Sequence, residues 1–455
     1  MSNVLTFDLG TTYFKVCIFD EAAKLIARSR VAVPVNRPAP NQAELPVAVF
    51  CRILTDAVHD VSRQTDGLRD VSRISFATQA NSFTLLNAQS EPLLPFVLWT
   101  DRRAQDVTNP LGDLTAHSDF FATTGVAALD HMFLPAKIQW LHRFQPQIMA
   151  EARRLYCVGD YLAWWLTGNH LTEAGAAGLT GLVDINRLQY WPEMLRRINL
   201  PSEWLPTILR AGRDAGPIRS EFVREWALAN DCRLTLGCLD QYAGAIGAGN
   251  TNPGGVSETT GTVLATVHCT NSCSAPCRPG VFRGPSFAEG IYYEMVFSEL
   301  SAGVLERYRN SLSDRPSFPE LDTLAANVPA GAEGLRLHPD APGLSPTEFF
   351  LNRTSKHDRG HEVRAILEAV ACELNRQVSL LCPEGTPAVV QSAGGGANSA
   401  LWLKIKSDTL GCSVQPVQCS EPTSLGAAML ALGRIDLHPN SLKQSDCYYP
   451  LSPSN

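Results

Sequence analysis

The chain has 455 residues, of which 45% are hydrophobic and 18% are charged, and its formal net charge is -7. This length allows two or more domains, and this composition excludes a disordered chain. The acidic balance argues against a general nucleic-acid or anionic-membrane surface. Because no apolar run is long enough to cross a bilayer and no signal peptide is visible after Met1, we expect a soluble cytoplasmic protein.

The first part of the chain predicts three antiparallel strands that lead into alternating helices and strands. Alternation of apolar and polar residues indicates the strands, and apolar residues at helical spacing indicate the helix. In chain order, the expected elements are a strand from Asn3 into the turn Asp8–Thr12, strands at Tyr13–Asp20 and Leu25–Val33, a loop at Pro34–Pro46, a helix at Val47–Val61, and strands at Ser72–Thr78 and Phe83–Leu86. This order is typical of a mixed α/β domain.

The second half of the chain repeats this layout. Each half opens with a strand, a turn that carries Gly and Thr, and a second strand. The expected elements are two strands within Gly255–Val267, helices at Leu300–Leu312 and His361–Leu381, a strand at Ala388–Gln391, a glycine-rich turn at Ala393–Ala397, and a helix at Ser424–Leu432. We therefore predict two similarly built domains, residues 1–249 and residues 250–455.

The turn Asp8–Thr12 has the residues that a phosphate site needs. Gly10 lets backbone N–H groups face one point without a side chain in the way, and Thr11 and Thr12 add hydroxyl donors. Asp8 would repel phosphate unless a divalent cation lay between them, which predicts a magnesium ion at Asp8. Lys15 can add a positive charge. The alternative is an ordinary hairpin turn.

Two later turns offer further donors. Thr260, Gly261 and Thr262 repeat the Gly and Thr pattern without a carboxylate, so two such turns could close on one polyphosphate. The glycine-rich turn leaves an open surface for an adenine ring, with Asn398 available for hydrogen bonding; its alternative is a tight strand-to-helix connection. The chain contains neither a P-loop nor a dinucleotide-binding fingerprint.

Asp240 is a candidate general base. An apolar strand delivers this residue to the start of a helix made of Ala and Gly, within the segment Gly237–Gly249. An Asp at this place in a helix is most often a cap. As a functional group, it would accept a proton from an attacking hydroxyl group.

The 13 cysteines are scattered, and only three of them cluster. Cys269, Cys273 and Cys277 lie near His268, but their spacing differs from that of the usual zinc sites. We expect a loop with reduced thiols there, because a disulfide framework is typical of short secreted chains.

Taken in order over nearly the whole chain, these segments resemble the FGGY family of carbohydrate kinases, which contains xylulokinase, gluconokinase and glycerol kinase. The three turns and the Asp240 segment match family motifs. The other matching motifs are Trp99–Ala104, Pro135 with Lys137 and Trp140, Gly159–Leu162, Leu166–Gly168, Trp402 with Asp408 and Gly411, and Glu421 with Gly426, Ala427 and Ala428. The family often has Asp where this chain has Glu173.

The resemblance implies two actin-like (ribonuclease-H-like) α/β domains with ATP and sugar in the cleft between them. It implies transfer of the γ-phosphoryl group of ATP to a sugar hydroxyl with Mg²⁺, with residues 1–249 binding the sugar and residues 250–455 the nucleotide. The implied roles are Asp240 as general base, Gln241 as a sugar contact, Asp8 as the metal carboxylate, and Gly10, Thr11, Thr12, Lys15, Thr260, Gly261, Thr262, Gly394, Gly395, Gly396 and Asn398 as ATP contacts. The expected partners are a sugar and ATP, with a homodimer as one candidate assembly.

The resemblance also suggests a substrate class. Ala80 and Asn81 occupy the positions of the Arg-Glu pair with which glycerol kinases grip a small polyol, so the clamp for glycerol is missing. Gln79, Asn81 and Trp99 suit a neutral chain with several hydroxyl groups. We therefore expect a ketose such as D-xylulose, with gluconate as the second candidate.

Asp101 and Arg103 complete the predicted substrate-binding residues. The alternative for Gln79 and Asn81 is that their amides satisfy backbone groups in the core. At the level of the whole protein, the alternatives are another polyol or sugar kinase and a non-catalytic nucleotide- and sugar-binding member of the same superfold.

Overall fold

The computed structural model describes residues 3–105, 115, 119–273, 276–436 and 447–450. The chain divides into two compact units. Unit 1 holds the described residues of 1–249, 270–293 and 423–439, and unit 2 holds those of 250–269, 294–422 and 440–455. The predicted assignment of sugar binding to residues 1–249 and nucleotide binding to residues 250–455 stays a prediction.

Unit 1 is built on a mixed sheet around the strand Val71–Thr78. This strand pairs in parallel with Asn3–Leu9 on one side and with Arg233–Thr235 and Cys238–Leu239 on the other. The carboxyl ends of Asn3–Leu9, Val71–Thr78 and Cys238–Leu239 therefore meet at one edge of the sheet. Beyond Asn3–Leu9 the sheet continues in antiparallel fashion through Tyr13–Phe19 and Leu25–Ala32, and beyond Arg233–Thr235 through Asp214–Pro217.

The core of unit 1 follows from the apolar patterns of its elements. The helix Val47–Arg63 buries its apolar stripe, which includes Phe50, Leu54 and Val58, against the sheet. The other helices are Asp119–Thr124, Leu134–Phe144, Pro146–Glu151, Val158–Thr167, Ala174–Gly178, Pro192–Arg197, Ser220–Glu225, Asp240–Gly247 and nearly all of Pro422–Leu432. The smaller strands are Glu44–Leu45, Phe83–Leu86, Phe96–Val97, Arg154–Cys157, Leu171–Glu173, Val183–Asp184, Gln189–Tyr190, Thr207–Leu209 and Phe282–Pro285.

Unit 2 contains a sheet with the same order of strands. Val256–Thr260 pairs antiparallel with Leu264–Thr270 and in parallel with Val389–Ala393, which in turn pairs in parallel with Ser413–Pro416. Tyr292–Ser298 lies next to Leu264–Thr270 in this sheet. The expectation of two similarly built α/β units is confirmed.

The helices of unit 2 cover this sheet. They are Ala302–Ser311, Phe318–Ala326, Arg359–Leu381 and Ala400–Leu410, and the short strands Arg336–Leu337 and Phe350–Leu351 pair with each other. Asp358 caps Arg359–Leu381, because its side chain accepts a hydrogen bond from the His361 N–H. Single 3₁₀ turns occur at Ser202–Trp204 in unit 1 and at Ala332–Gly334, Ala341–Gly343, Pro346–Glu348 and Gly395–Asn398 in unit 2.

The predicted elements agree with the structure to within a few residues at their ends, with one exception. The expected loop at Pro34–Pro46 ends in a short strand, Glu44–Leu45, which pairs with Phe96–Val97. The buried side chain of Leu45 anchors this strand. The surrounding prolines are typical of a loop, so the sequence did not indicate a strand there. Over the described residues, no helix combines the length and apolarity that a membrane span requires.

Gly237 tests how tightly the strand that carries Asp240 is packed. A Cβ atom on Gly237 would lie 1.6 Å from the Phe76 carbonyl oxygen. We expect Gly237→Ala to lower the free energy of unfolding by about 3 kcal/mol, because the clash is with backbone. Urea unfolding measures this, and Gly343→Ala is the control, since a Cβ there meets nothing within 4 Å. Equal stability of the two variants would contradict the packing.

Candidate functional site

Asp8 and Asp240 lie at neighbouring strand ends of unit 1. In the register of the sheet, Asp8 lies opposite Ala77, and Leu239, which directly precedes Asp240, lies opposite Thr78. Lys15 lies across the first hairpin from Asp8, and its Nζ donates to Asp8 Oδ2 at 3.1 Å. The structure thus brings the carboxyl groups of Asp8 and Asp240 and the ammonium group of Lys15 to the same edge of the sheet, and their roles in phosphoryl transfer stay a prediction.

The environment of Asp240 suits a proton acceptor. Burial, together with the negative charge of Asp8, raises the pKa of the Asp240 carboxyl to about 7, against the opposing effects of the Gln241 N–H and Lys15. The Gln241 N–H donates to Asp240 Oδ1 at 2.7 Å. Asp240 is the first residue of the helix Asp240–Gly247 and not its cap, which is Leu239. A carboxyl group with a pKa near neutrality is effective as a general base.

Glu173 supports the strand that carries Asp240. Its buried carboxylate accepts hydrogen bonds from the N–H groups of Gly175 at 2.7 Å, Ala176 at 2.9 Å and Leu239 at 3.2 Å. Burial raises the pKa of Glu173 to about 7. The sequence marked Glu173 only as a departure from the family pattern, whereas the structure makes it the cap of one helix and a tether for the residue before Asp240.

Trp99 contacts the first predicted phosphate turn. Its indole Nε1 donates to Thr11 Oγ1 at 2.8 Å, and its backbone N–H donates to Ser82 Oγ at 2.7 Å. Thr12 is exposed. The structure therefore brings Thr11, Thr12 and Trp99 to the strand ends that carry Asp8 and Asp240.

The amides of Gln79 and Asn81 are engaged by backbone groups. Gln79 Nε2 donates to the carbonyl oxygens of Leu9 at 3.3 Å and Gly10 at 3.2 Å. Asn81 Nδ2 donates to the Leu179 carbonyl at 3.2 Å, and Asn81 Oδ1 accepts from the Leu134 N–H at 3.0 Å. Both side chains are buried. These contacts favour the alternative in which the two amides fix loops, and sugar contact by them stays a prediction.

Asp101 and Arg103 form a buried ion pair. Arg103 Nε and Nη2 donate to the two carboxylate oxygens of Asp101, both at 2.8 Å, and Nη2 also donates to Glu44 Oε1 at 2.6 Å. Asp101 is 0% exposed and accepts a further bond from the Ala43 N–H at 2.7 Å. These bonds fasten the segment after Trp99 to the strand Glu44–Leu45, and sugar contact by Asp101 and Arg103 stays a prediction.

Lys137 is a buried residue next to the site to which the sequence alone gave no role. It is 0% exposed in the helix Leu134–Phe144, and its Nζ donates to the carbonyl oxygens of Leu98 at 2.7 Å, Trp99 at 3.1 Å and Asn81 at 3.4 Å. Burial lowers the pKa of Lys137 to about 7, although Asp101 acts in the opposite sense. Lys137 therefore joins the two loops that carry Asn81 and Trp99.

In unit 2, the two predicted nucleotide turns lie against each other. Gly394 has a φ of +80°, and a Cβ atom on it would lie 2.7 Å from the Thr260 carbonyl oxygen. A Cβ atom on Gly396 would lie 2.8 Å from Thr260 Cβ. This close approach explains why glycine is needed at both positions. The turn Thr260–Thr262 and the glycine-rich turn Ala393–Ala397 thus form one surface.

The predicted nucleotide contacts of unit 2 differ in exposure. Thr262, Gly394, Gly395 and Asn398 are exposed, and Gly261 is partly exposed, with room around it because a Cβ atom there would meet nothing within 4 Å. Thr260 and Gly396 are buried. The exposed residues can contact a ligand directly, whereas Thr260 and Gly396 shape the backbone beneath them.

The cysteine cluster does not form a metal site with the described residues. Cys269 is buried in the strand Leu264–Thr270, whereas Cys273 and Cys277 are exposed. Among the described residues, no three His, Cys, Asp or Glu side chains lie close enough together to hold a metal ion.

Family models match most of the chain. The model of the N-terminal domain of the FGGY family of carbohydrate kinases matches residues 3–247, and that of its C-terminal domain matches residues 260–433. The chain belongs to the FGGY family of carbohydrate kinases. The predictions of the family and of an ATP-using carbohydrate kinase are therefore confirmed.

Known members of the FGGY family are similar to this chain over almost their whole length. A xylulose kinase of Lactococcus lactis is 26% identical over 447 residues, covering 95% of this chain and 87% of the relative. A gluconokinase of Bacillus subtilis is 23% identical over 460 residues, covering 96% and 88%. The crystal structure of a ligand-bound xylulose kinase from Lactobacillus acidophilus has a TM-score of 0.88 at 21% identity and covers 99% of this chain and 94% of its own. This likeness confirms the actin-like α/β fold.

Substitution of Lys137 tests how much its hydrogen bonds to the loop that carries Trp99 contribute to the free energy of unfolding. We expect Lys137→Met to lower the free energy of unfolding by about 3 kcal/mol at pH 8, because buried carbonyl groups lose their donor. The folded pKa lies near 7 and the ordinary pKa of a lysine is 10.5, so between these values the unfolded chain binds more protons. The wild-type free energy of unfolding therefore rises with pH in this window, and the variant lacks that rise.

Urea unfolding of both proteins at pH 6, 8 and 9.5 measures this difference. The control is Lys404→Met, which removes a partly exposed lysine whose Nζ donates to Asp408 Oδ1 and to the Tyr449 carbonyl oxygen. A difference between wild type and Lys137→Met that stays constant with pH would contradict the assignment.

Proposed function

We propose that this kinase transfers the γ-phosphoryl group of ATP to a hydroxyl group of a ketose, with D-xylulose as the first candidate. The observation that carries the proposal is Asp240, a carboxyl group with a pKa raised to about 7 that lies beside Asp8 and Lys15 at one sheet edge. A sugar hydroxyl needs a base at its oxygen, and phosphoryl transfer needs charge neutralisation around the phosphates.

In this mechanism, ionised Asp240 accepts the proton of the attacking hydroxyl group. The sugar oxygen forms a bond to the γ-phosphorus, the bond from the γ-phosphorus to the bridging oxygen breaks, and ADP leaves with that electron pair. Lys15 and the hydroxyl groups of Thr11 and Thr12 offset phosphate charge. The hydrogen bond from Trp99 orients the Thr11 hydroxyl.

The residues at this edge fit a magnesium ion. Mg²⁺ is usually bound through one or two carboxylates plus substrate phosphates, and Asp8 supplies a carboxylate beside Asp240. Asp8 would hold the ion, which would neutralise part of the phosphate charge. In unit 2, we assign nucleotide contact to the partly exposed Gly261 and to the exposed residues Thr262, Gly395 and Asn398.

The ketose is favoured by the missing clamp for glycerol. Ala80 stands where an Arg would be needed for glycerol, and Gln241 and Trp99 offer neutral donors and an aromatic face. Because relatives of similar identity are named xylulose kinase and gluconokinase, their names do not choose between a ketose and gluconate. Gluconate is therefore the second candidate.

Asp240→Asn tests the proposed base. We expect the variant to fold and to bind ATP, but to lose about 10²–10⁴-fold in kcat, the usual effect of removing a general base. Coupled ADP-release kinetics measure kcat, and calorimetry measures ATP binding. Asp214→Asn is the matched control, because Asp214 pairs with Arg233 on the exposed edge of the same unit. Near-normal turnover of Asp240→Asn would refute the assigned role.

A substrate panel tests the proposed sugar. We expect kcat/KM for D-xylulose or another ketose to exceed that for gluconate. We expect kcat/KM for glycerol to be lowest, because Ala80 stands where a bidentate Arg would hold glycerol. The assay measures ADP release. A kcat/KM for glycerol above that of every ketose would contradict the substrate class.

The same assay tests the metal ion. Excess EDTA should abolish ADP release, and full activity in EDTA would contradict the role of the metal.

A further inference from the structure

Unit 2 contains an ion pair that has no contact with solvent. Lys406 Nζ donates to Glu258 Oε1 at 2.6 Å, and both side chains are 0% exposed. Glu258 belongs to the strand Val256–Thr260, and Lys406 belongs to the helix Ala400–Leu410. The mechanism proposed above uses neither residue.

This pair is the centre of a hydrogen-bonded network with two hydroxyl groups. Lys406 Nζ donates to Thr260 Oγ1 at 2.9 Å and to Ser392 Oγ at 3.4 Å. Thr260 Oγ1 donates to Glu258 Oε2 at 2.6 Å, and Ser392 Oγ donates to Glu258 Oε1. Each carboxylate oxygen of Glu258 therefore accepts from a hydroxyl group, and the ammonium group of Lys406 contacts all three partners.

The two hydroxyl groups belong to the strands that lead into the two nucleotide turns. Thr260 begins the turn Thr260–Thr262, and Ser392 comes two residues before Gly394. Lys406 also reaches the glycine-rich turn, because a Cβ atom on Gly396 would lie 3.3 Å from Lys406 Nζ. The network thus fixes the ends of both strands at the point where both turns begin.

Stability alone does not require such a pair. Removing two charges from water is costly, and apolar residues of similar volume often replace a buried ion pair without loss of stability. Apolar side chains, however, cannot hold a hydroxyl group in one direction. What the charged pair adds is the orientation of Thr260 and Ser392.

We propose that Glu258 and Lys406 are positioning residues for the nucleotide. They hold the two turns at the spacing at which Gly261 and Thr262 meet the phosphates and Gly395 meets the nucleoside of a single ATP. Thr260 then acts by holding the turn, since its hydroxyl group is committed to Glu258 and Lys406. This inference rests on the proposed nucleotide contacts of unit 2.

The double variant Glu258→Leu/Lys406→Met tests the proposal, because it removes both charges together and leaves no unpaired buried charge. The measurement is the Kd of AMP-PNP with MgCl₂ by calorimetry, with the melting temperature and the KM of the preferred sugar as further readouts. We expect the Kd to rise about tenfold or more, because the turns lose their directed hydrogen bonds, while the sugar KM changes little. The melting temperature should fall, because the buried hydroxyl groups of Thr260 and Ser392 lose their partners, so the Kd is measured at a temperature at which the variant is folded.

Two further sets of variants complete the design. Thr260→Val removes the hydroxyl group at nearly constant volume and should raise the Kd of AMP-PNP. Thr260→Ser keeps the hydroxyl group and should leave this Kd at the wild-type value. These variants decide the question if the double variant does not fold. Lys404→Met/Asp408→Leu removes the partly exposed ion pair of the same helix and should leave the Kd unchanged.

The outcomes separate this inference from the proposed function. A folded double variant with the wild-type Kd, or Thr260→Val with the wild-type Kd, overturns the positioning role. An equal rise in the Kd of AMP-PNP and in the KM of the sugar would also overturn the positioning role, because it would indicate a general structural role. If the wild-type protein binds AMP-PNP but phosphorylates no sugar in the panel, the proposed function is refuted. The comparison of Kd values between the variants and the wild type then still tests the positioning role.

Discussion

Parallel pairing on both sides of Val71–Thr78 is the constraint on which the candidate active site of unit 1 depends. Because Asn3–Leu9 and Cys238–Leu239 run alongside this strand in the same direction, their carboxyl ends lie together although they are far apart in sequence. That pairing delivers Asp8 and Asp240 to one edge. The backbone at Gly237 lies so close to Phe76 that any side chain at Gly237 would push the strand Cys238–Leu239 away from Val71–Thr78.

Buried polar side chains then fix the loops that leave this edge. Glu173 tethers the residue before Asp240, Lys137 joins the loops of Asn81 and Trp99, and the ion pair of Asp101 and Arg103 fastens the segment behind Trp99. Each of these groups is hydrogen-bonded, which offsets the cost of burying it. These hydrogen bonds hold the loops around the strand ends, and a positioned base and positioned donors need such support.

The sequence predicted the strands, the long helices and the three turns well, because periodicity and turn composition are local properties. It could not decide the roles of Gln79, Asn81, Asp101, Arg103 and Thr260. An amide, a carboxylate or a hydroxyl group can bind a ligand or a backbone group equally well, and only the neighbours in space decide between these. A signal did exist for one member of the buried pair of unit 2, since Lys406 lies among the apolar core positions Trp402, Leu403 and Leu410 of its helix.

Three carboxyl groups of unit 1, those of Asp160, Glu173 and Asp240, have a pKa raised to about 7, and their hydrogen bonds separate their functions. Asp160 is buried, and its carboxylate accepts from the Cys157 N–H at 2.9 Å at the start of its own helix. Glu173 has its oxygens occupied by three backbone N–H groups, so it has little capacity to receive a proton from a substrate. Asp240 accepts from the adjacent Gln241 N–H at one oxygen, lies at the sheet edge and is partly exposed. A raised pKa alone would not identify the base, because burial produces it in all three residues. The accepting capacity that remains at Asp240, beside Asp8 and Lys15, is what selects it.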